Sequence, residues 1–324
     1  MSRSHTLAFA AVVILIALAL LPFVAEKFTV QFATRILIMA IFAMSLNLLV
    51  GHAGLVSLGH AAYFGIAGYC LALSSPQYQA ANFWTSLPLA MIAAGALALA
   101  IGALVLRTSG IYFIMATLAF AQMLHSLLHD TGIAGGSDGI FIYARPDIGF
   151  FGWRAFDLEK FGDFYFVVLA LFVVVFGFIG VLRASLFGRV IAGIRVNEAR
   201  MRSLGFATFR YKLVCFVLAG MLAGLAGYLA AVQFGVVNPD MLGWHFSGAV
   251  LMMVILGGMG TLAGPVIGAA AMLLLEIGFQ SLPAVDGINP GKHWQLPMGF
   301  AIVLVALYLP NGLTGLLRRG GADE

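Results

Sequence analysis

The sequence predicts an all-α membrane protein of about ten transmembrane helices, some short or broken, with both termini in the cytoplasm. Three observations predict it. Of the 324 residues, 62% are hydrophobic and only 9% are charged, whereas a soluble domain carries about 25% charged residues to coat its surface. Mean hydropathy is +1.04. Apolar runs long enough to cross a hydrocarbon core of about 30 Å recur along the whole chain. A water-soluble two-domain enzyme, which length alone would allow, is excluded.

The first run, 7–25, follows Arg3 and looks like a signal peptide. Cleavage after Ala25 would place bulky Phe23 where a small residue is needed, so this is an uncleaved first crossing, with residues 1–29 forming a helix and an outer turn. Further runs occupy 30–50, 84–106, 110–128, 164–182, 212–234, 265–281 and 296–310. Two more, 59–74 and 245–257, are short and sit beside glycine-rich stretches. Such segments are broken or half-length helices lining a cavity, because unpaired backbone cannot face lipid. The organisation is a first helical half, 30–182, with a long outer loop at 130–163; an intracellular loop, 183–211; a second half, 212–317; and a tail, 318–324.

Orientation follows from the basic residues. Arg183, Arg189, Arg195, Arg200, Arg202, Arg210 and Lys212 face a single acid, Glu198. The segment 130–163 instead holds Asp130, Asp138, Asp147, Asp157, Glu159 and Asp163 against Arg145, Arg154 and Lys160. The positive-inside rule puts the first inside and the second outside. With ten crossings, Arg3, Arg107, Arg318 and Arg319 also fall inside. The net charge of +4 is therefore topological and no sign of nucleic-acid binding. Within the basic loop, Val190, Ile191, Ile194 and Met201 recur at helical spacing with arginines elsewhere around the wheel, and Gly205 follows as a stop. Two short amphipathic helices of this kind suit docking onto a soluble partner.

Five glycines (Gly51, Gly54, Gly59, Gly65, Gly68) fall within residues 50–69, and five more (Gly257, Gly258, Gly260, Gly264, Gly268), with Pro265, within 256–268. Glycine is entropically costly in a lone helix, so such density calls for a tertiary reason: helix breaks beside a pore, or close packing. Gly220 and Gly224 are spaced for close packing alone. Gly51 and Gly59 are eight apart, as are Gly235 and Gly243. One pair lies inside and the other outside, the arrangement an inverted repeat of crossings 2–5 and 7–10 would produce.

A charge inside the bilayer costs about 2.5–3.5 kcal/mol on insertion scales. Arg35 and Glu276 both lie some five residues from the outer ends of their runs, which makes them a candidate intramembrane pair, with snorkelling to the interface as the alternative. Asn47, His60, Gln122 and His125 read as interhelical hydrogen-bond partners. Cys70 and Cys215 sit in apolar runs and read as small hydrophobes, with no metal site. No phosphate-binding glycine loop, zinc-protease helix or nucleophile elbow occurs, so the chain is read as no enzyme. Any ATP must be hydrolysed by another polypeptide.

Five stretches carry a resemblance: NLLVGHAGLVSLGHAAYFG from Asn47 to Gly65, GIYFIMATLAFAQ from Gly110 to Gln122, GSDGI from Gly136 to Ile140, GRVIAGIRVNE from Gly188 to Glu198 with Leu204 and Gly205, and LGGMGTLAGPVIG from Leu256 to Gly268. Together, over about residues 30–317, the chain resembles the LivM-type integral-membrane permeases of bacterial branched-chain amino acid ABC importers. The resemblance implies a fold similar to type II importers in the bacterial inner membrane. It implies a homologous LivH-type permease partner, two cytoplasmic ATPases that hold ATP and magnesium, and a periplasmic substrate-binding protein, with no cofactor in this chain. The ATPase-coupling loop would comprise Gly188, Arg189, Ala192, Gly193, Arg195, Asn197, Glu198, Leu204 and Gly205. The general permease pattern is matched only approximately there: Arg200 stands where a second alanine is expected, and Gly205 comes one residue late.

The resemblance further implies alternating access. Loaded binding protein would dock on outer loops 130–163 and 282–295, and ATP-driven motion of 188–205 would pass to the pore helices. Gly136, Ser137, Asp138 and Gly139 would shape the outer loop. A ribose-type sugar permease is the nearest alternative, and a self-sufficient secondary transporter or channel coupled through Arg35 and Glu276 the next. Which amino acid or related small acid is carried is not written in this chain.

Overall fold

In the computed structural model, residues 3–75, 79–132, 134–149, 158–281, 294–309 and 312–315 are described. The central helix is α2, Lys27–Asn47, which continues as a π-helical turn, Leu48–Ala53. From Leu37 to Leu49 every residue is buried, the condition of a helix surrounded by others on all sides. It packs against α6 (Phe161–Ala184), α9 (Thr208–Phe234), α10 (Trp244–Gly257) and α11 (Gly264–Gln280). Around these stand α1 (Arg3–Val24), α3 (His60–Ser74), α4 (Phe83–Val105), α5 (Ile111–Asp130) and α12 (Gln295–Tyr308). Among the described residues, five helices are long and apolar enough to cross a membrane: α2 with its π turn, α4, α5, α6 and α9. Helices α10, α11 and α12 are shorter and apolar.

Small residues set a close contact between α4 and α9. Gly220 and Gly224 on α9 face Ala98 and Ala94 on α4, and an added Cβ on either glycine would lie 2.5 Å from the opposing methyl. This is the packing the GxxxG spacing predicts. Beside it, the Ser86 hydroxyl and the Tyr228 phenol share a 2.7 Å hydrogen bond between α4 and α9. His60 Nε2 and the Ser45 hydroxyl share another, at 2.8 Å, between α3 and α2. Cys215 is buried and free, and Cys70 is half-buried and free.

Both halves of the chain repeat one local design. The π turn after α2 ends at Gly54 (φ 72°), an irregular stretch follows, and α3 starts after Gly59. Helix α9 ends at Gly235 (φ 68°), a linker follows, and α10 starts after Gly243. The left-handed conformation at each stop is one that glycine adopts without penalty. The structure corrects the expected correspondence: Gly51 lies within the π turn, so Gly54 is the counterpart of Gly235. At 15 and 14 residues, α3 and α10 are about 22 Å long, short of the hydrocarbon thickness. The two junctions lie at opposite ends of α5, since Gly110 borders the same cavity as Gly54 while His125 reaches Asp240 in the second linker.

The basic segment forms α7 (Leu186–Val196) and α8 (Glu198–Ser203). Ser185 and Asn197 cap them, their side-chain oxygens accepting from the amides of Gly188 and Arg200 at 3.3 and 2.9 Å. Ile191 and Ile194 are buried and Met201 half-buried against the bundle, and Gly205 (φ 87°) stops the pair.

Candidate functional site

The site is built around Asn47, at the last turn of α2. Its side-chain oxygen accepts from the Gly260 amide and its nitrogen donates to the Thr261 carbonyl, both at 2.9 Å. This brings the two glycine-rich stretches into contact. A Cβ on Gly51 would stand 2.5 Å from the Gly260 nitrogen, so only glycine fits. Arg195, from α7, donates to the Gly51 carbonyl and lays its stem against Gly54. Arg183, at the end of α6, donates to the Gly260 carbonyl at 3.2 Å. His52 Nδ1 lies 3.1 Å from the Asn47 carbonyl. A helix end leaves carbonyls without partners and carries partial negative charge. The Arg195 guanidinium and the His52 imidazole answer that need at the end of α2, and Arg183 adds a tie from α6 to the Gly260 turn.

The helix pair has its own anchor. Glu198 Oε1 accepts from Arg202 Nη2 at 2.7 Å and from the Thr208 hydroxyl at 3.0 Å. Lys212 Nζ, on α9, lies 2.9 and 3.0 Å from the two carboxylate oxygens. Burial pushes the Glu198 carboxyl up. Hydrogen bonds from Lys212 and Arg202, the Lys212 charge and the Thr208 hydroxyl together outweigh it and hold the group below its ordinary value. Gly193 lets Met201 approach, and Gly188 packs on the Leu182 and Arg183 backbone. Arg189, Ala192, Val196 and Leu204 point outward, Val196 being 85% and Leu204 66% exposed.

The remaining glycines of the expected helix breaks divide into two kinds. Gly54, Gly59, Gly258 and Gly260 do lie in irregular backbone. Gly65 is inside α3, so it is a close-contact glycine and no break: a Cβ there would meet the Leu242 side chain. Gly51 is likewise helical. Gly257 is the last residue of α10, and Gly264 and Pro265 are the first of α11, where proline costs no hydrogen bond.

At the opposite end, Gly136–Asp138 is a 3₁₀ turn flanked by Gly135 and Gly139, both at positive φ. It leads into β1 (Ile140–Phe141), which pairs antiparallel with β2 (Val236–Val237), Ile140 opposite Val237. These short strands are an exception to the all-α expectation. Ser137 donates to Asp138 at 3.3 Å within the turn. Next to it His125 lies 3.7 Å from Asp240. Arg35 and Glu276 come together between α2 and α11 at 3.4 Å, with Gln280 3.4 Å from the same carboxylate. Loop residues 282–293, Arg154, Asp157, Arg318 and Arg319 lie outside the described residues.

Sequence reasoning missed Arg183 as a ligand of Gly260, and the β1–β2 link. It named Asn47 without its partners. The one usable signal was an amide in an otherwise apolar run, next to a glycine cluster.

A bundle of apolar helices with a basic helix pair lashed to its interior backbone defines a multi-pass membrane permease. The chain belongs to the family of branched-chain amino acid transport system permease components, matched over residues 28–307. It is 32% identical over 316 residues to the high-affinity branched-chain amino acid transport system permease protein LivM of Escherichia coli K12, covering 92% of this chain and 72% of that one. It is 25% identical over 317 residues to a probable branched-chain amino acid transport permease protein LivM of Methanocaldococcus jannaschii, covering 84% and 89%. Similarity to the E. coli permease protein LivH is 27% over 135 residues, 41% of each chain. No solved structure matches the chain.

Proposed function

We propose that this chain is the membrane-spanning subunit of an ABC importer that brings branched-chain or closely related amino acids into the cytoplasm. It works beside a LivH-type permease, two cytoplasmic ATPases that bind ATP and magnesium, and a periplasmic binding protein. It crosses the bacterial inner membrane ten times, with both ends and α7–α8 inside. The observation that carries this reading is the contact of Arg195 with the Gly51 carbonyl. Through it, a helix pair with an exposed apolar tip at Val196 and Leu204 is joined directly to the end of the central helix. A partner that pulls on the tip moves the junction between the two glycine stretches, where α2, α10 and α11 meet. ATP binding in the partner thus biases one arrangement of that junction over another.

Arg35 and Glu276 act in this reading as a clamp between α2 and α11, and the 136–139 turn holds the outer loop onto the second linker. Affinity for cargo resides in the binding protein. The test is reconstitution of the complete importer in proteoliposomes. Uptake of labelled leucine should require ATP inside and all partner subunits. Uptake by this chain alone, driven by an ion gradient, overturns the reading. So does labelling of the Val196→Cys variant by an impermeant reagent applied outside intact cells.

A further inference from the structure

Between α7–α8 and the bundle lies a cavity of about 360 Å³, within the size range of small-molecule sites, roughly 300–1,000 Å³. Its walls come from four separate segments: the irregular stretch after Gly54, the start of α5, the helix pair, and α9. Val56, Ile114 and Ile194 supply an aliphatic side, and Arg195, Glu198 and Lys212 supply a charged one. The described hydrogen bonds do not exhaust these charges. Arg195 spends one nitrogen on the Gly51 carbonyl, and a guanidinium carries five N–H donors. Among the described residues, Glu198 Oε2 accepts a hydrogen bond from Lys212 alone.

A cavity with branched aliphatic walls, free guanidinium donors and a carboxylate with a lone pair to spare selects for one ligand chemistry. The ligand needs a carboxylate, an ammonium group and a short branched hydrocarbon chain. A fatty acid leaves the spare lone pair on Glu198 Oε2 unused, and an amine leaves the remaining Arg195 donors unused.

We infer that this cavity binds a branched aliphatic amino acid from the cytoplasmic side, and that the bound molecule holds α7–α8 against the bundle. The inference rests on the import reading for its sidedness and its consequence. One wall of the cavity is the helix pair itself, so a ligand that fills it stabilises the arrangement in which the walls are together. The cargo, once accumulated, then opposes the motion that imports it. By linkage, any nucleotide state that draws α7–α8 away weakens amino acid binding by the same factor.

The test uses this chain with its partner permease and ATPases in nanodiscs, without the soluble binding protein, titrated calorimetrically. L-leucine should bind. Leucinol, which lacks the carboxylate, and 4-methylpentanoate, which lacks the ammonium group, should each bind about tenfold more weakly or less. Ile114→Trp, which fills the cavity, should abolish binding, and Val56→Phe serves as a second variant that fills it from another wall. In proteoliposomes, leucine loaded inside should slow initial uptake about fivefold or more, and Ile114→Trp should relieve this while uptake into empty vesicles is retained. If neither variant folds, the two analogues decide the matter on the unmodified protein. Failure of leucine to bind, equal binding of the analogues, or binding that survives both substitutions overturns the inference. Leucine binding without any leucine uptake leaves the site standing and overturns the import reading instead.

Discussion

The junction at Gly54 and the junction at Gly235 share a plan and differ in how they are secured. Each joins a long helix to a short one through a left-handed glycine. At the first, a buried amide and two arginines reach backbone carbonyls and amides of other segments. At the second, the linker is held by two paired strand residues on each side and a 3.7 Å contact between His125 and Asp240, whose side chain is 86% exposed. Side-chain ties can be transferred from one carbonyl to another by a rotamer change. Strand pairing is exchanged only by breaking the ladder. In the import reading, the first junction is the one that moves and the second the one that stays.

The largest expected effect tests that contrast directly. Gly51→Val would drive a branched side chain into Asn47 and the Gly260 backbone, at a cost of about 3 kcal/mol or more. It should abolish uptake and lower the melting temperature of the purified protein. Gly235→Ala makes only an ordinary van der Waals contact with the Ile142 carbonyl at 3.7 Å, and should cost only the left-handed conformation, about 1–2 kcal/mol. Equal losses from the two would erase the difference between the junctions.

Asn47→Ala comes next. It leaves the Gly260 amide without its acceptor and the Thr261 carbonyl without its donor, an effect of about 1–3 kcal/mol per orphaned group. Uptake should fall at least tenfold, while an Arg195→Ala exchange should spare the fold, measured by melting, and uncouple ATP hydrolysis from transport. Glu198→Gln should loosen α7–α8, detected as faster hydrogen exchange over 186–203 with α2 unchanged. The corresponding pH dependence has a definite sign. Because the folded carboxyl titrates below its ordinary value, its stabilisation is fully present above the unfolded Glu pKa of about 4.3 and is lost as pH falls through the depressed value. Protection of the helix pair should therefore be flat at neutral pH and decline only in acid.

The smallest effects belong to the exposed or half-exposed pairs. Separating Arg35 from Glu276 by Glu276→Gln should cost about 0.5–1 kcal/mol, the scale of a polar contact between membrane helices when the arginine can snorkel to the interface, and a charge exchange of both residues should recover part of it. Asp240→Asn should change stability by less than about 0.5 kcal/mol. A large uptake defect from Asp240→Asn would give the second junction a moving role and reverse the comparison.

Legibility in the sequence followed the range of the interaction. Helix α7, its buried Ile191 and Ile194 and the stop at Gly205 were readable, because spacing along one helix encodes them. The basic character of 183–212 was readable as composition. The partner of Arg195 was not, since a bond across 144 positions leaves no mark in either segment. The role of Gly51 was half readable: a dense glycine cluster announces close contact, but only the approach of Gly260 says to what. The β1–β2 link escaped because two-residue strands show no alternation. Arg35 and Glu276 were matched because two charges at similar depth in apolar runs have few other options.

The seam between α4 and α9 has a mechanical consequence. With methyl groups of Ala94 and Ala98 pressed onto bare Gly224 and Gly220, the two backbones are too near to slide without collision. That contact welds part of the first half to part of the second into one slab.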